Sequence, residues 1–74
     1  MQRPPTPRQV RAARALLDMT RENLSRRSGV SLRALAAFEA GQSQLMPNNH
    51  RAVREALEMR GIRFDGFGGV RIVD

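Results

Sequence analysis

Residues 20 to 41 constrain this 74-residue chain more than any other stretch. Thr20 offers a hydroxyl to the free N–H groups at the start of a helix. Glu22 sits in that helix's first turn, where the helix dipole favours an acid. Leu24 is its main inward residue, and Ser25, Arg27 and Ser28 are less apolar than a core face usually is. Gly29 is the residue expected to turn left-handed and end the segment. Val30 plugs the inside of the turn, and Ser31 caps a second helix reaching about residue 39 or 40. Leu35 and Phe38 are its inward i, i+3 pair, and Gly41 ends it.

The flanks extend this pattern. Residues 1–7 hold three prolines and are expected to form a flexible, basic arm. A helix is expected from residue 7 or 8 to 17, because proline suits a first helical position. Val10, Ala13 and Leu17 form its apolar stripe, with Arg8 and Arg11 facing away. Asp18-Met19 breaks the run. Residues 42–46 pass from polar to apolar as a loop, and Pro47 opens a fourth helix to about residue 60, with Val53, Ala56 and Leu57 inward. Gly61 closes it.

After Gly61 the period changes. Ile62-Arg63-Phe64 and Val70-Arg71-Ile72-Val73 alternate apolar and basic residues, as half-buried strands do. The glycine-rich residues 65–69 between them suit a turn of about five residues. A lone two-stranded hairpin is marginal, so this one must pack on the helices or pair with another chain. The expected organisation is an arm (1–7), a helical domain (8–61) and a C-terminal hairpin (62–74).

A chain of this length reads as one domain with a marginal core, burying about 60% of its unfolded surface. It has no cysteine, so neither disulfides nor a thiolate metal site supplement that core. Dimerisation is a common remedy in small scaffolds. No apolar run approaches the roughly 18 residues of a membrane span, and the first residues lack the apolar stretch of a signal peptide. A cytoplasmic protein is expected, with no membrane partner.

All 13 basic residues are arginine. Residues 1–33 hold eight of them against Asp18 and Glu22, whereas residues 34–74 hold five against five acids. The formal net charge of +6 therefore sits in the first half. That asymmetry fits a polyanion partner on one face; solubility of a small domain is the other account of the same charge.

The capped pair of helices around Gly29 has the layout of a helix-turn-helix, whose second helix is shaped to lie in the DNA major groove. Residues 10–61 resemble the Cro/repressor-type, XRE-like helix-turn-helix family. The residues that carry the likeness are Arg14, Leu17, Met19-Thr20, Leu24, Gly29-Val30-Ser31, Leu35, Phe38-Glu39 and Gly41. The resemblance implies a mostly α fold: a four-helix, lambda-repressor-like helix-turn-helix domain, here followed by a two-stranded β-hairpin.

It also implies roles for individual residues. Arg14 and Glu39 match a structural pair tying the first helix to the end of the third. Leu32, Arg33, Ala36 and Ala37 match groove-facing positions of the third helix, and its cap Ser31 is a further DNA-binding candidate. Arg33 has the reach to grip a guanine through O6 and N7, or to take a phosphate. Leu32 has the shape to press on a thymine methyl, or to serve a dimer or core contact. Thr20 and Arg21 match the phosphate-contacting start of the second helix, where free N–H groups favour anions. The loop residues Gln42, Ser43 and Gln44 match a second backbone-contact region. Three departures stand out. Asp18 replaces a usual glycine, which calls for a left-handed residue that Asp tolerates. Ser25 replaces a usual alanine, a small change. The recognition helix is unusually apolar, which shifts specificity toward DNA shape or a second partner.

No catalytic constellation is visible, and no cofactor or metal is expected. His50 is the only histidine and reads as a surface residue. Glu55 and Glu58 flank arginines and read as solvated ion pairs. The glycines of 66–69 lack the lysine and following helix of a phosphate cradle. The leading expectation is a sequence-specific regulator of transcription that binds double-stranded DNA as a homodimer on a pseudo-palindrome. Phe64, Phe67, Val70 and Ile72 of the hairpin are its candidate dimer contacts. The alternative is a protein-interaction module on the same scaffold, an antiactivator or antitoxin-like subunit with a regulatory protein partner.

Overall fold

Short helices gain stability when their end groups find partners, and three of the four helices in this chain open on a side-chain cap. The computed structural model describes residues 3–73. Four helices are followed by one antiparallel hairpin: α1 (Pro7–Leu16), α2 (Arg21–Ser28), α3 (Leu32–Glu39), α4 (Pro47–Glu58), β1 (Ile62–Phe64) and β2 (Val70–Ile72). No helix among the described residues is long and apolar enough to cross a membrane.

α1 opens on a capping box. The Thr6 hydroxyl accepts from the Gln9 backbone N–H, and the Gln9 side chain accepts from the Thr6 N–H. The segment expected to be a free arm is therefore drawn into the fold from Arg3 onward. Pro5 is buried, and Arg54 Nη1 donates to the Arg3 carbonyl at 2.7 Å. Proline-rich composition concealed a cap followed by a proline at the first helical position. Residues 1 and 2 of that segment lie outside the described residues.

α1 ends with Asp18 at φ 51°, while the Met19 N–H reaches back to the Arg14 carbonyl at 2.9 Å. This is the left-handed helix end that the sequence called for at residue 18. Thr20 and Ser31 cap α2 and α3 by accepting from the N–H groups of Asn23 and Ala34. Gly29 ends α2 at φ 77°. Two serines then stitch the turn. Ser25 Oγ donates to the Val30 carbonyl at 2.6 Å, and Ser28 Oγ accepts from the Val30 N–H at 3.1 Å. Ser25 is thus more than a small change: alanine at that position offers no donor to the turn.

One core joins the four helices and β1: Val10, Ala13, Met19, Leu24, Val30, Leu35, Phe38, Leu45, Val53, Ala56, Leu57 and Ile62. Leu45 anchors the loop before α4. His50 is half-buried, its ring edge-on to Phe38 with centroids 5.1 Å apart. Burial lowers its pKa below the ordinary imidazole value. The surface position expected for His50 ignored this aromatic contact, which local spacing does not reveal.

The hairpin packs on the chain's own helices. Ile62 pairs with Ile72, Arg63 with Arg71 and Phe64 with Val70. Ile62 is fully buried, and Phe64 and Val70 pack against the core. At the tip, the Asp65 carboxylate accepts from the N–H groups of Gly69 (2.8 Å) and Phe67 (2.7 Å). Those bonds, Gly69 foremost, hold its carboxyl below the usual carboxylate range. Gln9, only 4% exposed, locks the tip to α1 by donating to the carbonyls of Asp65 (3.1 Å) and Gly69 (3.0 Å).

Candidate nucleic-acid interface

Glu39 closes α3, where the helix dipole disfavours an acid. It is nevertheless 1% exposed. Arginine makes the position tenable: Arg14 of α1 meets the carboxylate bidentately, Nη2 to Oε1 at 2.6 Å and Nε to Oε2 at 2.8 Å. That hydrogen-bonded pairing raises the Arg14 pKa above its ordinary value, with burial opposing it. The same guanidinium donates to the Met19 carbonyl at 3.1 Å, so one side chain ties α1, the entry to α2 and the end of α3 together.

Two further arginines converge on Glu39. Arg21, at the first position of α2, places Nε 3.3 Å from Oε1. Arg11 donates Nη1 to the Glu39 backbone carbonyl. Arg11 thus does not simply face solvent; it satisfies one of the last carbonyls of α3. Arg11 and Arg14 stand at i and i+3 on one helix face, which is the only sequence signal that they share a target. Arg21 was expected at a phosphate, and its Nε is committed to Glu39. Its two Nη groups have no hydrogen-bond partner among the described residues, so a second anion remains within its chemistry.

With its inner face fixed by Leu35, Phe38 and Glu39, α3 presents a defined outer face. Leu32 is 41% exposed, and Arg33 is exposed with no hydrogen-bond partner among the described residues. Ala36 and Ala37 are half-buried and lie one turn along from Arg33. The outer face is therefore a shallow alanine floor with one guanidinium and one isobutyl group at its N-terminal end. Ser31 is exposed, but its hydroxyl caps the helix. Thr20 is likewise exposed and its hydroxyl is used on Asn23. Gln42, Ser43 and Gln44 are all exposed after α3. The Gln42 N–H closes the helix on the Ala37 carbonyl at 2.9 Å, leaving its side chain outward.

The hairpin residues divide. Phe64 lies under the Arg54 guanidinium, 5.7 Å from the ring centre, and with Val70 serves the chain's own core. Phe67 and Ile72 are 98% and 44% exposed. The Val73 N–H bonds the Gly61 carbonyl and the Asp65 N–H bonds the Gly69 carbonyl. In this register the N–H and C=O groups of Val70 and Ile72 therefore point away from β1.

No curated protein matches the chain. The family model described as "Helix-turn-helix", of the XRE type, matches residues 10–60, more than half of the sequence and the whole of α2, the turn and α3. The chain thus belongs to the XRE family of helix-turn-helix proteins, a family of DNA-binding regulatory domains.

Proposed function

We propose that this protein regulates transcription by binding a specific site on double-stranded DNA. The carrying observation is the arginine–Glu39 knot, which holds α3 rigidly while leaving Arg33 and Leu32 projecting from it. In this reading Arg33 reads a guanine edge, Leu32 meets a thymine methyl, and Ala36 and Ala37 permit close approach to the groove floor. Arg21, Thr20 and the 42–44 loop lie against phosphates. A two-fold dimer on a pseudo-palindrome follows if β2 pairs with its copy. The outward backbone groups of Val70 and Ile72, and the exposed Ile72 side chain, support that contact. Phe64 and Val70, spent on the chain's own core, support it less.

The test is a salt titration of duplex binding, followed by selection of bound sites from a random DNA pool. If six to ten phosphates are neutralised, affinity falls about 10³–10⁵-fold between 50 and 200 mM salt. Selected sites should be inverted repeats. A flat salt response, or full binding by Arg33→Ala combined with Arg21→Ala, overturns the reading.

The apolar outer face of α3 favours a second reading, in which the scaffold docks a protein instead. A single hydrogen-bonding head beside an exposed leucine suits a protein surface as well as a groove. Absence of binding both to random duplex at low salt and to the DNA upstream of its own coding sequence selects this alternative.

A further inference from the structure

The hairpin carries an unusual aromatic. Phe67 is 98% exposed, yet its loop is tied down by hydrogen bonds: Asp65 accepts from the Phe67 and Gly69 N–H groups, and Gln9 donates to the Asp65 and Gly69 carbonyls. An apolar ring of this size held in water on a fixed loop is a feature of contact sites. It borders an open cleft of about 560 Å³ over the start of α1, where Arg8 is exposed and has no hydrogen-bond partner among the described residues.

A second open cleft, about 550 Å³, lies at the other end of the hairpin, where α4 runs into β1. Met59, 87% exposed, stands in it beside Glu55 and Glu58. Glu58 is shared with Arg54 at 3.1 Å, while Glu55 is exposed and has no partner among the described residues. Arg63 also lines this cleft, but its guanidinium is folded back onto the carbonyls of Glu58 and Ile62.

The two clefts are complementary in charge and in kind: an aromatic beside a free cation, and a thioether beside a free carboxylate. Sulfur packs favourably against aromatic rings, and methionine adapts its shape to what it meets. Root and tip are separated by the strands, about 10 Å of extended chain, so one molecule does not satisfy both ends itself.

We propose that copies of this chain associate head to tail, with Phe67 and Arg8 of one copy seated in the Glu55–Met59 cleft of the next. Such a contact is heterologous, distinct from a two-fold strand pairing, and it propagates beyond a dimer. On a duplex it links neighbouring copies, a consequence that rests on the DNA-binding reading; the association of the free chain does not.

Sedimentation velocity over a wide concentration range at low salt tests it. The mass average should keep rising past the dimer. Phe67→Ala, Arg8→Glu and Glu55→Arg should each weaken that rise about tenfold or more without lowering thermal stability, because all three side chains are exposed and both charge changes agree with the dipoles of their helices. The double exchange of Arg8→Glu with Glu55→Arg should restore it. A mass that stops at monomer or dimer, a rise untouched by Phe67→Ala, or single charge variants that the double exchange does not rescue, each overturns the proposal.

Discussion

The two faces of α3 are built on opposite principles. The inner face, Leu35, Phe38 and Glu39, is buried to within 2% and is held by packing and by Arg14, Arg21 and Arg11. The outer face carries one strong hydrogen-bonding group, Arg33, over two alanines. The first face is over-determined and the second is nearly bare. In such a helix, stability and recognition are separable: changes inward should unfold the domain, and changes outward should alter only what it binds.

The most damaging break in that comparison is Glu39→Ala. It leaves three arginine contacts without their acceptor and a largely buried guanidinium at Arg14. Removing one member of a buried pair costs about 3–5 kcal/mol. That is a large share of the stability of so small a domain. Urea denaturation should show the midpoint falling accordingly; a shift of less than about 1 kcal/mol contradicts a structural role for the knot.

Asp18→Gly sharpens the contrast from the other direction. Asp18 holds φ 51° at the end of α1, where its charge also opposes the helix dipole. Glycine removes both penalties and loses some of the gain to a more flexible unfolded chain. A net stabilisation of about 0.5–1 kcal/mol is expected, raising Tm by a few degrees. An unchanged or lower Tm says that Asp18 makes a compensating contact.

The smallest effect concerns His50, which packs on the inner side of α3 through Phe38. Burial depresses its folded pKa, so the unfolded chain binds the extra proton more readily. Stability should therefore be flat above the ordinary imidazole pKa of about 6.5 and decline as pH falls below it, until the folded pKa is reached. His50→Gln should remove that part of the pH dependence. If the wild-type and variant profiles coincide between pH 5 and 7, the burial of His50 carries no weight.

Features set by neighbouring residues were legible in the sequence. Thr20, Ser31 and Gly29 act within one helical turn, and Leu24, Leu35 and Phe38 follow from period alone. Asp18 was legible for the same reason, as the residue that must turn left-handed between two helices. Arg14–Glu39 spans 25 residues and was reached through resemblance, not spacing. What stayed hidden is partner choice across the fold. Gln9 is an ordinary polar residue in the sequence, and nothing local says that it will cap α1 and also hold carbonyls 56 and 60 positions away. Thr6 was obscured by its prolines. Arg11 reads as facing solvent and Arg21 as a phosphate contact, because nothing in their local spacing points to the carboxyl end of α3, which only the fold brings to them.

The separation of the two faces is the central claim, and Arg33→Ala tests it most directly when unfolding and binding are measured on the same protein. The account predicts a stability within about 0.5 kcal/mol of wild type. It also predicts a loss of about 1–3 kcal/mol in binding to the selected site, with most of the affinity for random duplex retained. A variant that binds its site as well as wild type, or one that loses stability in step with binding, contradicts it.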